Sequence, residues 1–305
     1  MTSTPGIERR DARTDDDRQP DEELRAHLRG MWDAVAPAWS AHAAYADARG
    51  SEAGERMLKL TAPVPGDRVL EMACGPAGLG LAAASLVAPD GEVVLSDVSD
   101  EMTSIAATRA QALGLSNVRA RQLDLVSIDE PDDSYDVVLC REGLMFATDP
   151  ARATREIRRV LRPNGRVAIA VWGPRERNPW LGLVFDAVGA QIGKPVPPPG
   201  IPGPFSLADP DRLERLLIDA ELDDVVVCEQ SSPLRAASFE EWWTRTSALA
   251  GPLTKILASL PEHAKQAIRT RLHETTSAYQ TPHGMEFPGV SLIVSARRPG
   301  DRAVA

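Results

Sequence analysis

Between Arg68 and Trp172, short apolar runs alternate with longer stretches whose apolar positions recur every three or four residues. The short runs predict five strands: Arg68–Met72, Glu92–Ser96, Val118–Leu123, Tyr135–Cys140 and Arg166–Trp172. The periodic stretches predict helices over Leu79–Ala88, Asp100–Leu113 and Pro150–Leu161. Turn residues separate them at Pro89-Asp90-Gly91, Asp129–Ser134 and Pro163-Asn164-Gly165. Strands that are apolar throughout, rather than at alternate positions, belong to a parallel sheet covered on both faces. Such units in series make a doubly wound α/β fold, which binds ligands at the carboxyl ends of its strands.

The flanks read differently. Residues 1–20 are polar, carry both charge signs and show no period, and are read as a disordered tail. From Asp21 a helical pattern begins, with Leu24, Leu28, Met31, Trp32 and Val35 on one stripe. Pro37 is expected to divide it in two, and a third helix is expected over Ser51–Leu60. Trp32, Trp39, His42 and Tyr45 lie close together there, either packed on the core or lining a lid over a pocket, two compatible readings. Beyond Trp172, Gly173–Pro204 is rich in Pro and Gly and is read as a mostly irregular loop with one helix at Trp180–Gly189. Helix Asp209–Ala220 and strand Asp224–Glu229 resume the α/β pattern. Residues 238–279 read as helices divided at Pro252 and Pro261, and Gly289–Ala296 as a final strand.

Charge and composition narrow the classes. The net charge of −10 lacks the basic face that a nucleic-acid binder needs. Cys74, Cys140 and Cys228 form no CxxC pair and no zinc spacing, which predicts reduced thiols in a cytoplasmic protein and no metal site. The N-terminus has no signal-peptide h-region, and the most apolar window, 69–88, is interrupted by Glu71, Pro76 and glycines, so no membrane span is expected.

The stretch VLEMACGPAGLG, 69–80, concentrates the candidate chemistry: a strand, an acid at its end, a glycine turn and a helix start. Such turns let backbone N–H groups approach a nucleotide. Against the G-x-G-x-x-G template, Gly75 and Gly78 fit but Ala73 stands where the first glycine belongs. Asp97, 22 residues after Gly75, is placed to accept both hydroxyls of a ribose. Asp124 can accept from an adenine amine while Leu125 covers the ring. Glu71 would repel phosphates and suits a ligand carrying positive charge or amino groups.

VLEMACGPAGLG, LSDVSDEM (95–102), RQLDL (121–125), YDVVLCREGLMF (135–146) and EIRRVLRPNGRVAIAVW (156–172) together resemble class I S-adenosylmethionine-dependent methyltransferases, nearest to the ubiquinone/menaquinone-biosynthesis C-methyltransferase-like group. The resemblance covers about residues 66–172. It implies a Rossmann-like, seven-stranded sheet whose last strand is antiparallel, with N-terminal helices and a helical insertion before that strand. The implied division is an N-terminal helical lid over 21–62, a core over 63–237, a helical substrate cover over 238–285, and the final strand and tail over 286–305. The implied cofactor is S-adenosylmethionine, released as S-adenosylhomocysteine. Glu71, Ala73 and Gly75 would line its methionine end, Asp97 its ribose, Val98 and Met102 the neighbourhood of adenine, and Asp124 and Leu125 the adenine edge. Cys140 and Arg141 would flank the methionine end facing substrate. Ala73 and Ala77 replace common glycines, a change tolerated if φ stays negative there.

Methyl transfer needs alignment and water exclusion, and a base only if the acceptor must lose a proton. His42 and Glu142 are the candidate bases; His263, His273 and His283 are weaker ones. Arg141 either holds an acidic substrate or pairs with Glu142. Trp32, Trp39, Phe146 and Trp172 are candidate aromatic walls for substrate and sulfonium. The expected activity is methylation of a small-molecule acceptor. The alternatives are a protein-directed methyltransferase, a cofactor-binding domain without methyl transfer, and an NAD(P)-dependent oxidoreductase, which Glu71 opposes. Oligomerisation is left open.

Overall fold

The computed structural model describes residues 15–300. Two helices lead the chain, α1 (Asp15–Ala41) and α2 (Ala43–Thr61). Then follow β1 (Arg68–Met72), α3 (Gly78–Val87), β2 (Glu92–Asp97), α4 (Asp100–Ala112), β3 (Val118–Gln122), β4 (Tyr135–Arg141), α5 (Pro150–Val160), β5 (Leu161–Trp172) and α6 (Pro179–Ile192). The rest comprises α7 (Pro210–Asp219), β6 (Asp223–Ser231), β7 (Leu234–Ala236), α8 (Phe239–Leu249), α9 (Gly251–Ser259), α10 (Glu262–Thr275), β8 (Gln280–Thr281), β9 (Gly284–Phe287) and β10 (Val290–Arg297).

Seven strands form one sheet in the order β3-β2-β1-β4-β5-β10-β6. Strands β1 to β5 pair in parallel, and β10 runs antiparallel between β5 and β6. The two-residue period of a strand sorts its side chains onto two cores. Val137 and Leu139 pack with residues of α2, α3 and α4, whereas Val138 and Cys140 pack with residues of α5 and α7. Both faces are thus buried, which is why these strands read as unbroken apolar runs. The alternation reverses at β1 between β2 and β4, and this reversal opens a crevice at the carboxyl edge.

Above that edge sits a cap. Trp180, Val184, Phe185 and Val188 of α6 join Trp242 and Trp243 of α8, Leu253 of α9 and Ile268 and Leu272 of α10 in one buried cluster. A small sheet in the order β7-β9-β8 closes its far side. This sheet was not expected: its strands are two to four residues long, too short for a period to register. The helix expected at Trp180–Gly189 within the Pro- and Gly-rich stretch is α6, whose face toward the cap is buried almost throughout. Among the described residues no helix is long and apolar enough to cross a membrane.

Three expectations at the N-terminus are corrected. Helix α1 begins at Asp15, inside the segment read as a tail; residues 1–14 lie outside the described residues. Pro37 does not end α1, which continues to Ala41 and breaks at His42. Val35 and Ala36 are fully packed there, and that packing outweighs the one hydrogen bond a proline removes. The next helix starts at Ala43, not Ser51.

Candidate active site

The crevice opens as a cleft of about 1330 Å³, its mouth included, across the carboxyl ends of β1 to β5 and under the cap. Its floor is built from strand ends. Glu71, the penultimate residue of β1, is buried, and its Oε2 accepts from the backbone N–H of Gly80 in the first turn of α3 at 2.8 Å. A Cβ at Gly80 would lie 2.4 Å from that oxygen, so glycine is required for the contact. Burial pushes the Glu71 carboxyl up to about 7, against the pull of Arg141 and the Gly80 N–H. Asp97 ends β2 and is likewise buried. Its two oxygens accept from the backbone N–H groups of Gly75 and Ser99, both at 3.0 Å. Burial raises its pKa to about 6, against those hydrogen bonds. Asp124, just past β3, accepts from Val126 N–H at 3.0 Å and from Arg25 Nε of α1 at 2.8 Å.

The glycine turn between β1 and α3 ties these acids together. Ala73, Gly75 and Ala77 all take left-handed conformations, with φ of 51°, 51° and 67°. The condition set for the two alanines, a negative φ, therefore fails. The turn aims Gly75 N–H at Asp97 and Ala77 N–H at Cys74 O, and only a left-handed backbone does so. Each alanine costs roughly 1–2 kcal/mol there relative to an unstrained residue. Gly143 leaves room for the Ala73 methyl, since a Cβ on it would stand 2.3 Å away. From behind, Arg109 of α4 binds both Pro76 O and the Asp47 carboxylate of α2, clamping the turn.

Most of the residues singled out from the sequence meet in this cleft. Glu71, Ala73, Gly75, Asp97, Val98, Met102, Asp124, Leu125, Arg141 and Glu142 line it, as do Trp32, Trp39, Phe146 and Trp172. Trp32 and Phe146 meet edge to face at 4.9 Å, and Trp39 Nε1 donates to Leu249 O at 3.1 Å, joining α1 to the cap.

Others are elsewhere. Cys140 does not face the cleft: it points into the core on the α5 side, where burial raises its thiol to about 12. Its neighbour Arg141 points the opposite way, as strand alternation requires, and donates to Gly50 O at 3.0 Å. His42 stands at the break between α1 and α2, outside the cleft. His273 stacks on Phe239 at 3.6 Å within the cap, and His263 and His283 are exposed. None of the four lines the cleft.

Glu142 lines the cleft but does not resemble a free base. Its partner is Arg49 of α2, not Arg141, and both side chains are largely buried. Burial alone would raise the Glu142 carboxyl, but Arg49 and Arg141 outweigh it and hold the group below the ordinary glutamate range. Burial would likewise lower Arg49, yet Glu142 brings it above its usual value. Glu142 also has a left-handed backbone, φ 60°, rare for a side chain this long. The Arg49 guanidinium lies 5.4 Å from the Trp172 ring and 5.7 Å from that of Trp180. Sequence reasoning passed over Arg49, a polar residue on a polar helical stretch whose partner is 93 residues away. It also passed over Arg25, Thr148 and the cap's contribution from Leu249 to Pro252.

Residues 63–178 match the family model described as a methyltransferase domain. Among curated proteins, the chain is 37% identical over 130 residues to the ubiquinone/menaquinone biosynthesis C-methyltransferase UbiE of Ectopseudomonas mendocina, covering 42% of this chain and 50% of that protein. It is 35% identical over 131 residues to UbiE of Azotobacter vinelandii, covering 43% and 51%. The chain thus spans about half the length of the curated relatives it matches. Among solved structures, the YcgJ protein of Bacillus subtilis superposes with a TM-score of 0.57 at 20% identity, over 82% of this chain and 99% of that one. The cyclase SpnF superposes with a TM-score of 0.57 at 19% identity, over 90% and 95%. These two likenesses concern the fold. Residues 63–178 thus carry a methyltransferase domain, similar in sequence to the ubiquinone/menaquinone C-methyltransferases.

Proposed function

We propose that this chain transfers a methyl group from S-adenosylmethionine to a small-molecule acceptor, a metabolite or natural product. The observation that carries this reading is the row of three acids, Glu71, Asp97 and Asp124, at the carboxyl ends of three adjacent strands in one cleft. Two of them are buried without a cationic hydrogen-bond partner among the described residues, and their environment suits a ligand that brings amino groups, hydroxyls and positive charge. Asp97 would hold the ribose, with Val98 and Met102 beside the adenine. Asp124 and Leu125 would meet the adenine edge, with Arg25 giving way or stacking above it. Glu71, Ala73, Gly75 and Arg141 would surround the methionine end; Cys140, buried behind it, is withdrawn from that set.

Bound there, the cofactor supplies an electrophilic methyl group and its own leaving group. The chain's task is to align the acceptor and exclude water, which can contribute on the order of 7–11 kcal/mol. Trp32, Trp39, Phe146 and Trp172 would form the acceptor's walls, and Leu249–Pro252 its roof. A roofed cleft favours a discrete molecule over a protein segment. With net charge −10 and three free cysteines, the reading places the protein in the cytoplasm, without a nucleic-acid partner.

Calorimetric titration with S-adenosylmethionine and S-adenosylhomocysteine, with NAD as control, tests the reading. Micromolar binding of the first two and none of NAD is expected. Absence of binding by both adenosyl compounds would overturn it.

A further inference from the structure

The cleft's two ends are set by the order of strands. If the cofactor lies along the acids after β3, β2 and β1, the acceptor is left the space over β4 and β5. That space holds Glu142 at the end of β4, Trp172 at the end of β5, and Arg49 descending from α2. We propose that Glu142, by holding Arg49, sets the charge selectivity of this acceptor end: the subsite takes an uncharged, ring-bearing molecule with a hydrogen-bond-accepting oxygen and excludes its carboxylate analogue. The inference rests on the methyltransferase reading above.

Charge is the first argument. The cleft is lined by three arginines, Arg25, Arg49 and Arg141, and four carboxylates, Glu71, Asp97, Asp124 and Glu142. S-adenosylmethionine carries one net positive charge, so the loaded cleft closes near neutrality. A charged acceptor would add an uncompensated ion beneath the cap, where desolvation is severe. The cations described at the acceptor end are already held: Arg49 is paired with Glu142 and covered by Trp172 and Trp180, and Arg141 donates to Gly50 O.

Geometry is the second argument. Glu142 reaches Arg49 from a left-handed backbone. Residues in such conformations are strained and persist only where their surroundings hold them. The effect here is to aim a carboxylate up into the cleft rather than along the strand.

Unused donors are the third. Trp172 Nε1 is buried and meets the geometry of a hydrogen bond with none of the described residues. Thr148 Oγ1 also lines the cleft, buried and without a partner. Buried donors of this kind call for an acceptor oxygen on the ligand. The walls on either side are rings, so the body that fits between them is apolar and flat.

Four probes of one shape separate charge from oxygen: methyl cinnamate, cinnamate, cinnamylammonium and propenylbenzene. Each is titrated into protein already saturated with S-adenosylmethionine, and the cofactor titration is run first on every variant. Wild-type protein is expected to bind methyl cinnamate at least about ten-fold more tightly than either ion. Glu142→Gln frees the Arg49 charge and is expected to raise cinnamate affinity about ten-fold or more while the ester changes little. The double variant Arg49→Gln with Glu142→Gln removes both charges and returns the preference to the ester. Trp172→Phe keeps the wall and removes the N–H, so the ester weakens about five- to ten-fold and propenylbenzene is unaffected. Thermal unfolding of each variant verifies that it folds, and Glu142→Ala, which also frees the Arg49 charge, carries the test if Glu142→Gln does not fold.

Failure of every protein to bind S-adenosylmethionine overturns the methyltransferase reading. Binding of the cofactor together with a wild-type preference for either ion, no detectable binding of the ester, or an unchanged cinnamate affinity in Glu142→Gln overturns the charge-selection proposal alone.

Discussion

The two ends of the cleft are built by opposite means. Over β1 and β2 the acids are held by the backbone: Glu71 by the N–H of Gly80, Asp97 by those of Gly75 and Ser99. Over β4 and β5 the polar groups are held by one another: Glu142 by Arg49, and Arg49 by the faces of Trp172 and Trp180. Backbone donors come with the fold and survive most substitutions. A side-chain pair depends on both partners and on the packing around them, so it can be retuned without disturbing the sheet.

The largest effect is expected where a buried pair is broken. Arg49→Met would strand the Glu142 carboxylate beneath the cap, and removing one partner of a buried pair costs about 3–5 kcal/mol. The variant should unfold at markedly lower denaturant, and the double variant Arg49→Met with Glu142→Gln should recover most of the loss. If Arg49→Met is no less stable than wild type, the pair is solvated and the contrast between the two ends disappears.

A smaller effect is expected at the cofactor end. Asp97→Ala leaves the sheet in place but removes the acceptor assigned to the ribose, and hydrogen bonds to a charged group contribute roughly 1.5–3 kcal/mol. Calorimetry should show S-adenosylmethionine affinity falling at least ten-fold or so by that estimate. Unchanged affinity would move the ribose away from Asp97.

The same buried acids make the cofactor end sensitive to pH. Glu71 is raised to about 7 and Asp97 to about 6, from ordinary values of 4.5 and 3.8. The folded protein therefore holds these protons more tightly than the unfolded chain. Their contribution to stability is complete below pH 3.8, and it is lost as pH rises through the window up to about 7. A cationic ligand acts in the other sense by favouring the carboxylates. Affinity for S-adenosylmethionine should rise from pH 5 to 8 by about ten-fold, with protons released on binding. Calorimetry in two buffers of different ionisation enthalpy detects the release; a flat profile would mean both acids are already ionised.

The contrast also accounts for what could be read from the chain. Strands buried on both faces announce themselves as VVL and VVLC, and acids interrupting such runs at their ends, Glu71 and Asp97, stand out as ligands. Backbone-held groups are local in sequence, with Glu71 nine residues from its donor Gly80. Side-chain pairs are not: Arg49 meets Glu142 from 93 residues away, and nothing around it on α2 marks it. Cys140 lies where the two-residue period of β4 puts it: with Arg141 at the cleft edge, Cys140 faces the core. The cap's small sheet was invisible because pairing across strands two to four residues long depends on the α8–α10 excursion between them.

The smallest expected effect tests the glycine turn itself. Ala73 and Ala77 share a left-handed backbone, but Ala77 is fully buried and Ala73 only partly. Replacing either with glycine relieves roughly 1–2 kcal/mol of strain and gives back about 0.5–1 kcal/mol in unfolded-chain entropy. At Ala77 the lost methyl forfeits about another 0.8 kcal/mol of burial, so the change should be near neutral. At Ala73 less burial is lost, and Ala73→Gly should gain about 0.5 kcal/mol, a rise of roughly 1–2 °C in Tm. A larger gain at Ala77 than at Ala73 would mean that strain, not packing, separates the two positions. The turn would then owe its shape to Arg109, which grips Pro76 from outside the cleft, more than to the residues inside it.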